Sequence, residues 1–383
     1  MKTIVSIILY MILLSVQICS VCADELKLNA RTAVVMDAES GKILYGKQEN
    51  KKMPNASTTK ILTCLYVLEH CDINKMATVS KNAQTQPKVR LGVRDGETYK
   101  VKDLLYGLML ESYNDCAVVL AEYAAGSVES FEKKVNEMAR QIGAKQTHFV
   151  TPNGLDGTDK NGRHETTAKD LAKIMARCIK NKQFLEITRT KQHTFMDGSR
   201  KRSFTCNNHN ALLSTMQGTV SRKTGYTSKA GYCYVGAVKQ KNITMTLSVL
   251  ASGWPPHKTY KWMDVKKLVQ YVTDNYEKRE IIADTSKIKE INVEDGLKQK
   301  VSLKTGNTKA LFLVKKTDHI KIESILPSSI NAPVKKGQKV GEIYYLVNGK
   351  TKKRVPIYAD QSVKCKDYWY YFEKIIQRFT LTL

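Results

Sequence analysis

The spacing of apolar residues changes twice along this chain of 383 residues, and the order of the changes limits the folds it can adopt. From Thr32, two apolar runs flank a turn at 38–41, which predicts two strands. Residues 61–68, 128–142 and 171–178 then repeat apolar positions every three or four residues, as amphipathic helices do. After Gly225 the period returns to two, so the chain mixes strands and helices.

The second strand-forming region predicts how the first domain is completed. Residues 231–251 alternate on both sides of Lys241-Asn242, which indicates a hairpin, and a helix is expected at about 263–276. Strands first, helices in the middle, then strands and a helix indicate an α+β domain with an antiparallel sheet. We place this domain at residues 24–278.

Beyond Lys278 short alternating strands are separated by turns at 295–296, 306–307 and 348–349. This pattern predicts a separate small all-β domain at 282–358. The final segment, 362–383, predicts an amphipathic helix. Its apolar stripe is Trp369, Phe372, Ile376 and Phe379, with Lys364, Lys366, Lys374 and Arg378 around it. Aromatic residues favour the headgroup level of a bilayer, so we expect this helix to anchor the protein on an anionic membrane surface. A helix docked on its own domain is the alternative.

The N-terminus has the pattern of a secretory signal peptide. Lys2 precedes an apolar run at 4–16, and small residues at 21–23 precede Asp24, so we expect a signal peptide at 1–23 with cleavage after Ala23. An uncleaved anchor helix is the alternative, although the apolar run is short for a bilayer span.

The formal net charge of +26 predicts attraction to polyanions. Export excludes nucleic acid as a partner, which leaves anionic lipid headgroups and cell-wall polymers. A role in solubility alone is the simpler interpretation of this charge. Nine cysteines occur, and two of them precede the expected cleavage site. The odd remainder forms no CxxC pair, so we expect neither a disulfide framework nor a metal site.

Three short motifs occur in a suggestive order: Ser57-Thr-Thr-Lys60, Ser112-Tyr-Asn114 and Lys223-Thr-Gly225. This set resembles S-x-x-K, S-D-N and K-T-G, the signature of penicillin-binding proteins and class A β-lactamases, with tyrosine at the centre of the second motif. Each motif is weak alone. A second Lys-Thr-Gly at 304–306, in the expected β domain, is interpreted as a chance turn before a strand.

The first motif precedes an apolar helix, so the side chains of Ser57 and Lys60 share one face. A lysine kept neutral by burial and a neighbouring charge can deprotonate a serine hydroxyl, and Lys223 is the candidate for that charge. The helix N-terminus aims the Ser57 N–H at a developing oxyanion. Alternatively, Ser57 only caps the helix.

The second motif lies between two expected helices. Ser112 is a candidate for relaying a proton to the leaving amine, and Asn114 for holding either the substrate carbonyl or Lys60. Alternatively, Asn114 is an ordinary helix N-cap.

The third motif precedes the hairpin, where Gly225 allows the backbone to come close to a ligand. An edge strand here can pair with an extended peptide, with Lys223 and Thr224 receiving its terminal carboxylate. The Tyr226 N–H is the candidate second oxyanion donor. The alternative for Lys223 is an ordinary solvated surface residue.

Longer stretches around these motifs, 56–61, 105–112, 148–155 and 223–233, resemble the low-molecular-mass penicillin-binding proteins, which are serine-type D-alanyl-D-alanine carboxypeptidases. The resemblance covers nearly the whole mature chain. It implies a β-lactamase-like transpeptidase domain, then the β domain and the membrane-anchoring helix. It also implies peptidoglycan stem peptides ending in D-Ala-D-Ala as substrates, β-lactams as covalent inhibitors, no cofactor, and a place outside the cytoplasmic membrane.

Carried over by position, the resemblance makes Ser57 the acylated nucleophile and Lys60 its base. Ser112 and Asn114 become the second catalytic element, and Lys223 with Thr224 the carboxylate anchor.

The sequence departs from the family pattern at several positions. Tyr113 replaces a common glycine, and Asn153 replaces a common histidine. The family's carboxylate-binding arginine after the hairpin is missing, and Lys258 or Lys261 is the expected substitute, less suited to a bidentate carboxylate. The Trp254-Pro-Pro stretch resembles a Gram-positive branch.

Three rival functions share this nucleophile or scaffold. A β-lactamase needs a deacylating glutamate with an asparagine four residues later, but Glu165 is followed by Lys169. A catalytically idle wall-binding module is disfavoured by the intact Ser57/Lys60 pair. A transpeptidase differs only in whether an amine or water attacks the acyl-enzyme, which sequence does not separate.

Overall fold

A five-stranded sheet lies at the centre of the larger part of this computed structural model, which describes residues 26–209 and 216–380, with side chains up to 378. Across the sheet its strands are Thr219–Thr227 (β11), Gly231–Gln240 (β12), Ile243–Leu250 (β13), Thr32–Asp37 (β1) and Ile43–Lys47 (β2). β1 runs antiparallel to both β13 and β2, and β11 runs antiparallel to β12. The predicted α+β class with an antiparallel sheet is confirmed.

Both predicted hairpins are present. β1 and β2 are joined across residues 38–42, as the sequence indicated. β12 and β13 are joined by Lys241 and Asn242, whose φ angles of 45° and 62° are those of a tight two-residue hairpin turn.

Helices pack around this sheet. They are Lys60–His70 (α1), Lys81–Gln84 (α2), Val101–Tyr106 (α3), Asn114–Ala125 (α4), Val128–Ile142 (α5), Ala168–Cys178 (α6), Lys182–Arg189 (α7) and Tyr260–Asn275 (α8). The three segments with helical periodicity became α1, α5 and α6, and α5 ends at Gly143 as predicted. The helix expected at about 263–276 is α8.

Helix α1 is the centre of the apolar core. Its residues Ile61, Leu62 and Leu65 are fully buried among side chains from α4, α5 and α6. Burying one such side chain contributes roughly 1.5 to 3 kcal/mol, so this helix is held firmly along its length. A rigid α1 fixes the position of the residues at its N-terminus, where the first motif lies.

Short strand pairs complete this part of the chain. They are Lys52–Met53 (β3) with Thr166–Thr167 (β8), Met76–Thr78 (β4) with Thr98–Lys100 (β5), Thr158–Asp159 (β6) with Gly162–Arg163 (β7), and Gln192–Met196 (β9) with Ser203–Asn207 (β10).

The described residues divide into two compact units. The first contains the residues up to Lys239 and Thr244–Gln270, and the second contains Gln240–Ile243 and the residues from Tyr271 onwards. The predicted signal peptide, residues 1–23, lies outside the described residues.

The second unit is built from strands, as predicted. These are Tyr276–Ile282 (β14), Glu290–Glu294 (β15), Lys300–Thr305 (β16), Lys309–Lys315 (β17), Ile320–Ile325 (β18), Ser329–Asn331 (β19), Lys339–Val347 (β20) and Lys350–Ala359 (β21). Six form a sheet in the order β18-β20-β21-β16-β15-β19, and β14 pairs with β17. The second Lys-Thr-Gly motif spans the end of β16 and the turn before β17.

A terminal helix, Tyr368–Thr380 (α9), follows the strands. Its apolar side chains are strongly exposed, at 70% for Trp369, 42% for Phe372 and 46% for Ile376. These fractions argue against a helix packed on the β-strand unit. Within the described part of the chain, every helix is too short or too polar to cross a bilayer.

Candidate active site

Ser57 lies in a single 3₁₀ turn, Ala56–Thr59, directly before α1. The helix therefore begins at Lys60 rather than at Ser57. The predicted shared face is nevertheless present, because Lys60 Nζ lies 2.9 Å from Ser57 Oγ. The N-cap residue of α1 is Thr59 rather than Ser57, so the interpretation of Ser57 as a simple helix cap is wrong.

The turn that carries Ser57 is held in a strained conformation. Ala56 has a φ of 48°, which an alanine adopts only when its surroundings require it. Thr59 Oγ1 donates to Ala56 O at 3.0 Å and accepts from Asn55 Nδ2 at 2.8 Å. These bonds fix the peptide that precedes the serine.

A buried histidine supports the same turn. His164 Nδ1 accepts from the backbone N–H groups of Val150 and Thr151, so its proton is on Nε2, which lies 2.8 Å from Thr59 Oγ1. Burial lowers the pKa of His164 to about 3, which keeps the ring neutral. Nothing in the sequence pattern identified this residue.

Two glycines enclose the peptide between Ala56 and Ser57. A Cβ on Gly154, where φ is +84°, would overlap Ala56 O, and a Cβ on Gly225 would lie 2.6 Å from Ser57 N. Only glycine allows so close an approach of three backbone segments. At Gly225 this approach brings β11 to the turn that carries Ser57; the predicted approach to a ligand stays a prediction.

Lys60 is fully buried, and its Nζ has three oxygen neighbours. These are Ser57 Oγ at 2.9 Å, Asn114 Oδ1 at 2.8 Å and the backbone carbonyl of Asn153 at 2.8 Å. Desolvation, followed by the charge of Lys223, holds the pKa of Lys60 well below its ordinary value. The amine is thus shifted towards its neutral form.

A neutral amine has two N–H donors and one lone pair. The amide oxygen of Asn114 and the carbonyl of Asn153 can only accept, so they take the two donors. The lone pair of Lys60 is left facing Ser57 Oγ, which is the group able to donate a proton. This arrangement suits a general base. The contribution of the Asn153 carbonyl was not foreseen from the sequence.

The second motif lies where a π-helical turn, Gly107–Glu111, gives way to α4. Ser112 has a φ of 68°, and Asn114 is the first residue of α4. Asn114 Nδ2 donates to the carbonyls of Pro87 and Lys88, which turns Oδ1 towards Lys60. The N-cap interpretation of Asn114 is therefore wrong.

A strap formed by residues 87–93 fixes that motif from outside. Buried Asp115 accepts from the backbone N–H groups of Leu91, Gly92 and Val93, and Asn114 N donates to Val89 O at 2.8 Å. Asn153 Nδ2 also donates to Gln86 Oε1. The Tyr113 side chain is partly buried, and its ring lies against Gly107.

β11 is an edge strand, as predicted, and it carries the third motif. Lys223 Nζ donates to Ser112 Oγ at 2.8 Å, so this lysine is not a solvated surface residue; its exposed fraction is 5%. Desolvation, with a smaller effect from Arg222, lowers the pKa of Lys223 to about 7. Both protonation states of this amine are therefore populated near neutral pH.

Two residues were expected to replace the family's carboxylate-binding arginine. Lys261 Nζ lies over the rings of Tyr232 and Trp262 and donates to the Lys258 carbonyl. Burial lowers the pKa of Lys261 to about 8. Neither lysine lines the cavity that contains Lys223.

Arg222 does line that cavity. This cavity has a volume of about 140 Å³, and its lining includes Ser112, Arg222, Lys223 and Thr224. Arg222 Nε is buried without a hydrogen-bond partner among the described residues, whereas another guanidinium nitrogen donates to His209 O. Arg222 directly precedes the third motif, and the sequence pattern gave no signal for it.

The three motifs thus converge in one place. Lys60 contacts Asn114, 54 positions away, and Lys223 contacts Ser112, 111 positions away. Glu165, the residue weighed as a β-lactamase-type base, instead pairs with Lys52 at 3.8 Å. Within the described ranges, no group of three or more acidic, histidine or cysteine side chains is placed to hold a metal ion.

Two known protein families match successive parts of the chain. Residues 19–253 match the D-alanyl-D-alanine carboxypeptidase family. The chain belongs to that family. This carboxypeptidase is therefore a serine-type peptidase and a hydrolase. Residues 276–365 match the C-terminal domain of penicillin-binding protein 5, so the protein is of the low-molecular-mass penicillin-binding type, as the motifs indicated.

Individual relatives extend over most of the carboxypeptidase. It is 28% identical over 348 residues to D-alanyl-D-alanine carboxypeptidase DacF of Bacillus subtilis, covering 89% of this chain and 87% of the relative. It is 31% identical to DacA of Haemophilus influenzae, covering 85% and 82%. The solved structure of penicillin-binding protein 5 from Haemophilus influenzae has a TM-score of 0.66 at 28% identity, covering 88% and 98%. The predicted fold class is confirmed, whereas the Gram-positive branch stays a prediction.

Proposed function

We propose that this carboxypeptidase removes the terminal D-alanine from peptidoglycan stem peptides through an acyl-enzyme on Ser57. The observation that carries the proposal is the environment of Lys60. A buried amine whose donors are both taken by acceptor-only oxygens has its lone pair directed at a serine hydroxyl 2.9 Å away.

In the acylation step, Lys60 takes the proton of Ser57 as Oγ bonds to the carbonyl carbon of the penultimate D-alanine. The backbone N–H groups of Ser57 and Tyr226 stabilise the oxyanion. The carbon–nitrogen bond then breaks, and the leaving amine of the terminal D-alanine takes a proton from Ser112. Ser112 is resupplied by Lys223, whose Nζ is 2.8 Å away.

Deacylation reverses these roles with water as the nucleophile. After D-alanine leaves, Lys60 gives up the proton it took from Ser57 and Lys223 regains one, both by exchange with solvent in the cleft. Water then loses a proton to neutral Lys60 as it attacks the ester carbonyl, and Lys60 passes that proton to Ser57 Oγ as the ester bond breaks. The products are a shortened stem peptide and free D-alanine. Asn114 keeps Lys60 in position through both steps, because its amide is itself fixed by the carbonyls of Pro87 and Lys88.

The terminal carboxylate of the substrate binds next to Lys223 and Thr224. Arg222 adds a second charge, because its buried Nε still has a donor to offer. Gly225 lets the peptide lie close to β11, whose free edge pairs with it as an added strand. β-Lactams enter by the same route and acylate Ser57.

The segments outside this site have their own proposed roles. Residues 1–23 direct export, 24–278 form the catalytic domain, and 282–358 form the β domain. Residues 362–383 hold the protein at an anionic membrane surface through the exposed face of α9. The protein then works at the outer face of the cytoplasmic membrane and has no nucleic-acid partner.

Fluorescent penicillin labelling with peptide mapping tests the proposal. We expect a long-lived adduct on Ser57 and release of D-alanine from a peptide ending in D-Ala-D-Ala. In Ser57→Ala the adduct should vanish and D-alanine release should fall by at least about 10³-fold. Ser228→Ala, an exposed serine beyond β11, is the matched control and should behave as wild type.

The rival functions give different results in the same experiment. Rapid turnover of penicillin would indicate a β-lactamase, and the absence of both adduct and D-alanine release would indicate an idle module. Transfer of the acyl group to an added amine in preference to water would indicate a transpeptidase.

A further inference from the structure

A second cavity, lined by charged residues, lies beside the site. It has a volume of about 440 Å³, and Pro54, Asp156, Arg163, His164 and Lys229 are among its lining residues. Pro54 leads into the turn that carries Ser57. His164 supports that turn, and Lys229 lies between β11 and β12. The cavity is therefore next to the nucleophile, at the C-terminal end of β11.

β11 gives the distance and direction from the nucleophile to this cavity. Gly225 lies against Ser57, and two residues later Thr227 Oγ1 donates to Asp156 Oδ1 at 3.3 Å. A strand advances about 3.3 Å per residue, so the cavity begins roughly 7 Å beyond the nucleophile.

The charges at the other end of the strand orient the substrate. The proposed function places the terminal carboxylate near Lys223 and Arg222, where the amine of Lys223 and the Nε of Arg222 are buried donors. The residues before the scissile bond must then run towards Thr227. The side chain of the residue that precedes the D-Ala-D-Ala unit consequently reaches the cavity.

The lining of the cavity is chemically specific. Arg163 and Lys229 are exposed, and neither has an acidic partner among the residues that the structure describes. Asp156 provides a carboxylate on the same wall, held by the Thr227 hydroxyl. His164 adds no charge because it stays neutral. The carboxylate of Asp156 and the cations of Arg163 and Lys229 complement a ligand that carries both an ammonium and a carboxylate group.

We propose that this cavity binds the side chain that precedes D-Ala-D-Ala and prefers one bearing both an ammonium and a carboxylate group. This inference rests on the proposed function. Asp156 pairs with the ammonium, while Arg163 and Lys229 pair with the carboxylate. A lysine side chain satisfies only Asp156, and an apolar side chain leaves all three charges unpaired.

Three N-acetylated peptides ending in D-Ala-D-Ala test the proposal. They differ only in the preceding residue, which is meso-diaminopimelate, lysine or norleucine. We expect kcat/KM to fall in that order, by about tenfold or more from first to last, as unsatisfied charges accumulate.

Variants identify the residues responsible. Arg163→Gln with Lys229→Gln should lower kcat/KM for the diaminopimelate peptide to the level of the lysine peptide and leave the norleucine peptide unchanged. Asp156→Asn should lower the values for both charged peptides. Lys160→Gln removes a lysine of the same loop that does not line the cavity, and its peptide preference should equal that of wild type.

Penicillin acylation distinguishes failure of the specificity proposal from failure of the proposed function, because benzylpenicillin lacks the side chain that precedes D-Ala-D-Ala. Equal kcat/KM for all three peptides, together with a normal Ser57 adduct, would overturn the specificity proposal alone. A uniform loss on every peptide in Arg163→Gln with Lys229→Gln would also overturn it. If wild type formed no adduct and hydrolysed no peptide, both proposals would fall.

Discussion

Lys223 Nζ donates a hydrogen bond to Ser112 Oγ across 2.8 Å and joins two motifs that are 111 positions apart in the chain. The contact joins the edge strand to the loop before α4, so the two sides of the cleft meet at a proton-carrying pair. Because burial brings the pKa of Lys223 to about 7, this pair is poised to exchange a proton near neutral pH.

The rate of acylation should therefore show a bell-shaped dependence on pH. Lys60 acts as a base only when it is neutral, so the rate rises as pH passes above its lowered pKa. Lys223 loses its proton as pH rises through about 7, and both its attraction for the carboxylate and its supply of protons weaken, so the rate falls. The second-order rate constant for fluorescent penicillin reports these groups in the free enzyme.

Lys223→Arg is the informative variant for that profile. Arginine keeps its charge, so the alkaline limb should move to higher pH even if the overall rate is lower. An alkaline limb that stays at the same pH in this variant would show that another group controls it.

Replacement of Gly154 should damage both stability and acylation. A Cβ there would overlap Ala56 O and would lie 3.0 Å from Ser57 N, at a φ of +84°. We expect Gly154→Ala to reduce the free energy of unfolding by about 2 to 4 kcal/mol, from overpacking and backbone strain together. Urea unfolding measures the first effect, and penicillin labelling measures the second.

Gly96→Ala is the matched control for Gly154→Ala. Gly96 has a similar φ of +79° but no atom within 4 Å of the added Cβ. It should lose only about 1 to 2 kcal/mol and label normally with penicillin. Equal effects of the two substitutions would mean that the contact with the nucleophile turn is unimportant.

Arg222 should control recognition of the terminal carboxylate. Wild type is expected to prefer a peptide with a free C-terminal carboxylate over the corresponding amide. In Arg222→Gln, kcat/KM for the carboxylate peptide should fall by about 10- to 100-fold, the value of one charged hydrogen bond, with little change for the amide. Lys258→Gln is the control. If Lys261→Gln erased the preference and Arg222→Gln did not, Lys261 would be the binding cation.

The exposed face of α9 should bind membranes. Deleting residues from Lys364 onwards should release the protein from vesicles that contain phosphatidylglycerol. Trp369→Ser with Phe372→Ser should weaken binding by about tenfold or more, because each aromatic side chain buries apolar area at the interface. Cosedimentation with vesicles measures both effects.

Leu311→Ser controls for the loss of any exposed apolar side chain. Leu311 is 54% exposed but lies in β17, outside the terminal helix. It should leave vesicle binding unchanged. Undiminished binding after deletion of the terminal helix would refute its role as the anchor.

Local patterns in the sequence were sufficient for much of the fold and for part of the site. The apolar period predicted α1, α5, α6 and the β12–β13 hairpin, because each depends on neighbours a few residues away. The Ser57–Lys60 pair was equally predictable, since residues three apart at the start of a helix share a face.

Local patterns could not decide the role of residues whose contacts are made with distant parts of the chain. Asn114 has the sequence of an N-cap, but carbonyls of the 87–93 strap turn its side chain to Lys60. Lys261 had the expected position for a carboxylate cation, whereas the structure places it against Tyr232 and Trp262.

The sequence alone thus determined which chemical groups are present and how they are spaced within each helix and strand. Only the tertiary structure decided which groups meet and in what protonation state. Asn153, 93 positions from Lys60, provides the carbonyl that takes one of its donors, and burial by the surrounding helices depresses the pKa of the amine. Both effects arise from packing and desolvation between distant segments, which no local pattern encodes.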